Sequence, residues 1–321
     1  MDRDCPAGAL SYAGGTIPFG PGRAILCVND QCGYYLDRPE VLAELREGRF
    51  DSLIDLARQG VALGLKVFNV QLMEASLLDR ERELLPAAVS AIYQAAGCCI
   101  GVDTRDPITA DLALAAYPYK AMCNTVTGEW DNLNAMLPVI AEHGAALGCA
   151  LVYEKGVPQT VRDRLMVARR IVEAGLAHGI PRADIMIDAV CLPAAVEPGN
   201  LNVTLETIRA IHDELGVPAL LGISNAGFMM PNPRLIDLAY FISSAACGLD
   251  VAMIDPLTPY LPWLSPAMDF LLGTDPAARG YLARYRATKG MRRPELGAAP
   301  PSSAGQNLPG TDKTGGATAD M

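Results

Sequence analysis

Short apolar runs recur along the chain, and each ends on an amide or a carboxylate just before a longer stretch with helical spacing. The clearest are CCIGVD ending at Asp103, YKAMCN at Asn124, DIMID at Asp188, ALLGISN at Asn225 and DVAMID at Asp255. Asp and Asn are poor strand formers, so one placed at the end of a buried strand points to a polar group aimed into a cleft. The whole pattern predicts strands near residues 24–29, 65–71, 98–103, 119–124, 147–153, 184–189, 218–224 and 250–255. Between them it predicts helices at 39–60, 79–96, 107–116, 130–143, 160–178, 203–215, 233–247 and 263–272. Strands alternating with helices of this length require right-handed crossovers and a parallel sheet, and eight such units close an α/β barrel, the (β/α)8 TIM-barrel fold. An open doubly wound sheet would want a glycine-rich turn after its first strand, and CVNDQCGYYLD supplies none.

Helix punctuation fits these boundaries. Asp106-Pro107 and Asn232-Pro233 read as an N-cap followed by proline at the first helical position, and Thr204 reads as opening the helix that leads to His212. His143 and His178 each precede a glycine, as at a helix C-terminus. From about residue 289 to 321 the chain turns rich in Pro, Gly, Ala and Ser without apolar periodicity, which predicts a disordered tail behind a barrel spanning residues 1–288.

Composition narrows the partners. The chain has 321 residues, of which 50% are hydrophobic, enough for one large core. A formal net charge of -10 disfavours nucleic acid and anionic membranes, which reward clustered Lys and Arg. The N-terminus shows no signal-peptide pattern and no run is apolar enough to span a bilayer, so the expected compartment is the cytoplasm. Nine cysteines lie mostly in apolar segments and read as reduced thiols; Cys98 and Cys99 would face opposite sides of a strand. The three histidines form no metal-binding pattern with the cysteines, so no bound metal is expected.

In such a barrel the strand ends Asn29, Asn69, Asp103, Asn124, Asp188, Asn225 and Asp255 should ring one mouth. Carboxylates and amides without an evident nucleophile suit a flat, neutral heterocycle whose edge offers both donors and acceptors. A strand-end Asp or Asn is also a common turn or cap residue, and that reading competes at each position taken alone.

The segments GVDTRDPITADLAL, AMCNTVTGEWDNLNAMLPVIAEHGAAL, IMIDAVCLP, LGISNAGFMMPNPRLID and AACGLDVAMIDP, in this order across about residues 50–260, resemble the pterin-binding barrel family. Within it, the likeness is to methyltetrahydrofolate:corrinoid protein methyltransferases, relatives of dihydropteroate synthase. The resemblance implies that Asp103, Asn124 and Asp188 hydrogen-bond a pterin ring, with Asn124 and Asp188 on its pyrimidine edge. It implies Asn225 beside N5, with Gly222 and Ser224 shaping that loop, and Asn69 as the amide of a D-x-N segment whose acid is replaced here by Val67. The first strand, CVNDQ, also differs from the family's Gly-Glu-Arg-x-Asn type segment.

The implied substrates are tetrahydrofolate or methyltetrahydrofolate and a cobalamin-type corrinoid carried by a partner protein, so the chain needs neither a nucleophile nor a metal of its own. A homodimer is implied as well, with the apolar helix 233–247 as a candidate face. Four other readings compete. A dihydropteroate synthase would carry a lysine near the seventh strand, where GISNAGF stands; a zinc-dependent methyltransferase would need His and Cys ligands. A pterin-binding module without turnover would share the pocket. A barrel aldolase could use only Lys120, which reads as a solvated or capping lysine.

Overall fold

The computed structural model describes residues 7–35, 38–151 and 156–288. Eight parallel strands close a barrel: β3 (Leu26–Asn29), β4 (Val67–Gln71), β5 (Cys99–Asp103), β6 (Met122–Thr127), β7 (Ala146–Ala150), β8 (Ile185–Asp188), β9 (Ala219–Gly222) and β10 (Val251–Ile254), with β10 pairing back to β3. All eight expected strands are present. The fourth lies a few residues later than its pattern indicated, because Tyr119 and Lys120 belong to the turn before it. The expected end of the fifth strand and the tail at 289–321 lie outside the described residues.

Eleven α-helices are present among the described residues: α1 (Cys32–Tyr35), α2 (Pro39–Arg46), α3 (Asp51–Leu63), α4 (Glu81–Ala96), α5 (Pro107–Ala115), α6 (Trp130–Glu142), α7 (Val161–Ala177), α8 (Asn200–Ala210), α9 (Pro233–Ala246), α10 (Leu261–Leu271) and α11 (Arg279–Ala287). The single helix expected over 39–60 is two. The Glu44 carboxylate accepts from the Ser52 amide at 2.8 Å and its hydroxyl at 2.5 Å, so a side chain of α2 caps the first turn of α3. Asp106 caps α5 through the Thr109 amide, at 3.0 Å.

One cap read from sequence is not at a helix start, and another, Asn232, stands at the N-cap of α9 before Pro233 but caps nothing with its side chain. Thr204 lies inside α8, which starts at Asn200, and its hydroxyl donates to the Val190 carbonyl at 3.0 Å. Asn232 takes a left-handed conformation (φ 53°) and makes no side-chain capping bond. Lys120 pairs with Asp184 across the barrel floor at 2.5 Å.

Alternation along the strands divides the core in two. Outward residues such as Phe68, Ile100, Cys123 and Ile187 pack under the helices. Inward residues form a second, separate cluster within the barrel: Leu26, Val28, Val67, Cys99, Met122, Ala146, Met186, Leu220, Val251 and Met253, with at least one from every strand. Cys98 and Cys99 fall on opposite sides of this divide, and the eight cysteines among the described residues are free thiols.

The bottom of the barrel is closed by a hairpin that the apolar pattern did not reveal. Strands β1 (Gly8–Tyr12) and β2 (Gly15–Phe19) pair antiparallel around Ala13-Gly14 and insert Leu10 and Phe19 into the inward cluster. The Ser11 amide donates to the Lys120 carbonyl at 3.0 Å, and the Ser11 hydroxyl accepts from the Lys120 amide at 2.8 Å. The sequence signal was present in the A-G-G between two short β-prone runs. Helix α9 buries Tyr240, Phe241 and Ala245 against the barrel and leaves Leu235 and Ile242 outside. No helix among the described residues is long and apolar enough to cross a membrane.

Because Phe19 is fully buried in the plug, Phe19→Ala should destabilise the fold by about 3–5 kcal/mol. Urea unfolding measures this; a loss below about 1 kcal/mol, the range of a surface change, would show that the hairpin is not part of the cooperative core.

Candidate active site

Above the apolar inward layer, the next inward position of each strand is polar or glycine. On β4 the inward residues are Val67, Asn69 and Gln71, and on β5 they are Cys99, Gly101 and Asp103; β6 gives Met122 then Asn124, and β8 gives Met186 then Asp188. At this level a cavity of about 280 Å³ opens at the carboxyl ends of the strands, walled chiefly by Asp30, Gln71, Asp103, Asn124, Asp188 and Asn225. A larger depression of about 800 Å³ lies on the outer surface beside Trp130, Met166 and Arg170. It gathers no buried polar side chains, so the strand-end cavity is the candidate site.

Of the residues singled out in the sequence, Asp103, Asn124, Asp188, Gly222 and Asn225 line this cavity. Asn69 does not. It is fully buried behind the wall, where its Nδ2 donates to Asp103 Oδ2 at 2.8 Å and to Asp30 Oδ1 at 3.3 Å. Ser224 also lies behind, accepting the Asp255 amide at 3.1 Å, while Asp255 receives Arg234 Nε at 2.8 Å. Asn29 points out of the barrel, donating to the Leu56 carbonyl of α3 at 3.2 Å. The residue that faces inward from the first barrel strand is its neighbour, Asp30, since Val28 already occupies the inward register. Asp30 was missed in the sequence because choosing Asn29 is a one-residue error of parity.

Each carboxylate is held differently. Asp103 receives the Thr125 hydroxyl at 2.6 Å as well as Asn69, and burial still raises its pKa. Burial pushes Asp188 up to about 6, opposed by the Val190 amide at 2.8 Å, the Arg164 charge and the Gly222 amide. Asp30 is pushed up to about 8, first by burial and then by the neighbouring Asp103 charge. The cavity thiol Cys149 is raised well above its ordinary value by burial, so it presents a neutral thiol.

The loop after β8 is held from behind. Val190, a β-branched residue, takes φ 63°, a conformation such residues rarely adopt. The fully buried Arg164 of α7 donates to the Ala189 carbonyl at 2.7 Å and the Pro158 carbonyl at 3.0 Å. Together with Thr204, it fixes the backbone that presents the Val190 amide to Asp188. After β9, the Asp237 carboxylate accepts the Gly227 amide at 2.8 Å and steadies the turn carrying Asn225. Asn225 Nδ2 donates to the Gly222 carbonyl at 3.1 Å.

Two glycines leave room for these groups. A Cβ on Gly148 would stand 1.9 Å from Asn124 Oδ1, and one on Gly222 would stand 2.9 Å from Asn225 Nδ2. The site therefore presents three carboxyl groups, Asp30, Asp103 and Asp188, and three amides, Gln71, Asn124 and Asn225, around a slot suited to a flat ring with mixed donors and acceptors.

A family model described as pterin binding enzyme matches residues 41–255, about two thirds of the chain. The chain belongs to the pterin-binding enzyme family. This pterin-binding chain is 25% identical over 217 residues to the methylcorrinoid:tetrahydrofolate methyltransferase of Eubacterium limosum, covering 65% of this chain and 78% of that one. It is 30% identical over 128 residues to methionine synthase of Mycobacterium leprae, a match covering 37% of this chain and only 10% of that much longer protein. Among solved structures, dihydropteroate synthase of Yersinia pestis superposes with a TM-score of 0.58 at 15% identity, covering 84% of this chain and 98% of that one. Dihydropteroate synthase of Xanthomonas albilineans in complex with 7,8-dihydropteroate gives 0.60 at 16%, covering 89% and 100%. At those identities, the structural likeness speaks for the shared barrel.

Two outcomes follow from this geometry. Gly148→Ala should displace the Asn124 amide and abolish ligand uptake by the cavity while leaving a folded barrel, checked by pterin binding beside circular dichroism. Asp30, Asp188 and Asp237, the last pushed up to about 7 by burial, hold protons in the fold that the unfolded chain releases near pH ~4. Their stabilising contribution is complete below that pH and is lost as pH rises to about 8. Urea midpoints across this range should fall with pH, and Asp30→Asn should flatten the upper part of the slope.

Proposed function

We propose that this protein is a methyltransferase that moves a methyl group between N5 of tetrahydrofolate and the cobalt of a corrinoid carried by a partner protein. The observation that carries this reading is the meeting of Asp103, Asn124, Asp188 and Asn225 around one cavity, in a family member whose relative is a methylcorrinoid:tetrahydrofolate methyltransferase. That relative's name favours the direction from methylcorrinoid to folate.

A pterin's pyrimidine edge offers a ring N–H beside an amino group, a donor pair that one carboxylate can accept. Asp188 takes this pair, and the Asn124 amide supplies a matching acceptor or donor beside it. Asp103, fixed by Thr125 and Asn69, binds the adjoining ring positions. The cavity is near the small end of ligand sites, which run to about 300–1,000 Å³, so it takes the bicyclic head and leaves the rest of a folate at the rim. Asn225 spends one N–H on Gly222 and keeps its other N–H and its oxygen for N5.

A methyl on a tertiary amine leaves only as the nitrogen gains a proton or a strengthening hydrogen bond. Asn225 supplies a donor whose bond tightens as charge develops there. The corrinoid protein brings the cobalt as a substrate to the barrel mouth. The seventh-strand segment GISNAGF carries no lysine, which disfavours the dihydropteroate synthase reaction despite the shared barrel.

Asn225→Ala should keep tetrahydrofolate affinity and slow methyl transfer by roughly 100- to 1,000-fold. Asp188→Asn should instead weaken binding by about 2–3 kcal/mol, roughly 100-fold. Calorimetric binding and anaerobic methyl transfer between methylcobalamin and tetrahydrofolate separate the two; equal losses of binding and rate in both variants would remove Asn225 from the chemical step. Since the paired form of Asp188 is the ionised one, wild-type affinity should also fall as pH drops through about 6.

A further inference from the structure

The barrel order fixes what faces what across the cavity. Strands run β3 to β10 around a closed ring of eight, so β3 stands opposite β7, the strand between β6 and β8. Asn124 ends the inward register of β6 and Asp188 that of β8. A flat bicycle held by its pyrimidine edge between them therefore turns its second ring, the one that contains N5, toward the end of β3. The inward side chain there is Asp30, and Asn225, on the turn after β9, stands two strands round from it.

We propose that the Asp30 carboxyl exchanges the proton of the folate N5 as the methyl group crosses, an inference that rests on the methyl-transfer reading of this cavity. Asn69 ties Asp30 Oδ1 at 3.3 Å and Asp103 Oδ2 at 2.8 Å through the two hydrogens of one amide, which aims both carboxyl groups into the cavity. Among the described residues no hydrogen bond occupies Asp30 Oδ2. The other strand-end carboxylates are committed: Asp103 to Thr125 and Asn69, Asp188 to the Val190 and Gly222 amides, Asp255 to Arg234 and the Leu257 amide.

The charges that bear on Asp30 are Asp103 from β5, Asp188 from β8 and Asp255 after β10, all of its own sign, with Cys32 of α1 nearby. Burial and these like charges push Asp30 up to about 8, so near neutral pH it can both hold a proton and give it up.

The step balances without a further reactant. In folate methylation, the N5 lone pair forms the N5–C bond, the Co–C bond breaks with its electron pair left on cobalt, and Co(III) becomes Co(I). The N5 proton passes to the ionised Asp30. In the reverse direction, protonated Asp30 returns the proton to N5 as the cobalt pair takes the methyl group.

The test uses the full chain with methylcobalamin and tetrahydrofolate under anaerobic conditions, following cob(I)alamin formation from pH 6 to 9.5, with calorimetric folate binding measured in parallel. Wild-type transfer should rise with pH through about 8. Asp30→Asn should lose that limb and slow transfer by roughly 100-fold at neutral pH while folate affinity changes by less than ~3-fold. Asp30→Glu should restore part of the rate with the limb displaced. A limb near pH 8 that survives in Asp30→Asn, or a loss of rate matched by a loss of folate binding, would overturn the assignment of Asp30 alone. A wild type that binds folate but transfers no methyl group would overturn the methyl-transfer reading with it.

Discussion

The strict alternation of side chains along eight closed strands is the constraint from which the rest of this protein follows. Inward positions at the lower register hold Val67, Cys99, Met122, Met186, Leu220 and Val251, which fill the barrel together with Leu10 and Phe19 of the plug. That dry floor is what allows the next inward register to be polar. Asn69, Asp103, Asn124 and Asp188 stand on a surface from which water is excluded below, so their hydrogen bonds and charges act at low dielectric.

A polar layer on an apolar floor must be satisfied from the side and from behind. Asn69 spends its amide on two carboxylates, Arg164 spends its guanidinium on the carbonyls of the loop after β8, and Asp237 holds the turn after β9. These residues lie outside the cavity, yet they set the direction of the groups that line it. The strained backbone at Val190 persists because Arg164 and Thr204 fix its carbonyl side and Asp188 takes its amide.

The electrostatics of the cavity have the same origin. Several carboxylates share one low-dielectric mouth, so they cannot all stay ionised at equal cost. Asp103 and Asp188, each with two donors, are held closer to the charged form, and the proton settles on Asp30, which has a single long donor in Asn69 and like charges around it. An anion-rich mouth of this kind suits a neutral ring with donor edges, in keeping with a pterin-binding family member.

The sequence by itself determined the eight strand–helix units, the end of the barrel where polar groups collect, and Asp103, Asn124, Asp188 and Asn225 as neighbours, because hydrophobic period and strand-end polarity are local properties. Tertiary structure decided what local pattern cannot carry. It placed Asn69 and Ser224 behind the wall, turned Asn29 out and Asp30 in, and made Thr204 a tie rather than a cap. It also folded the N-terminal hairpin under the barrel as its plug. Those assignments depend on which strand pairs with which and in what register, and a one-residue shift of register exchanges the faces of a strand without altering its composition.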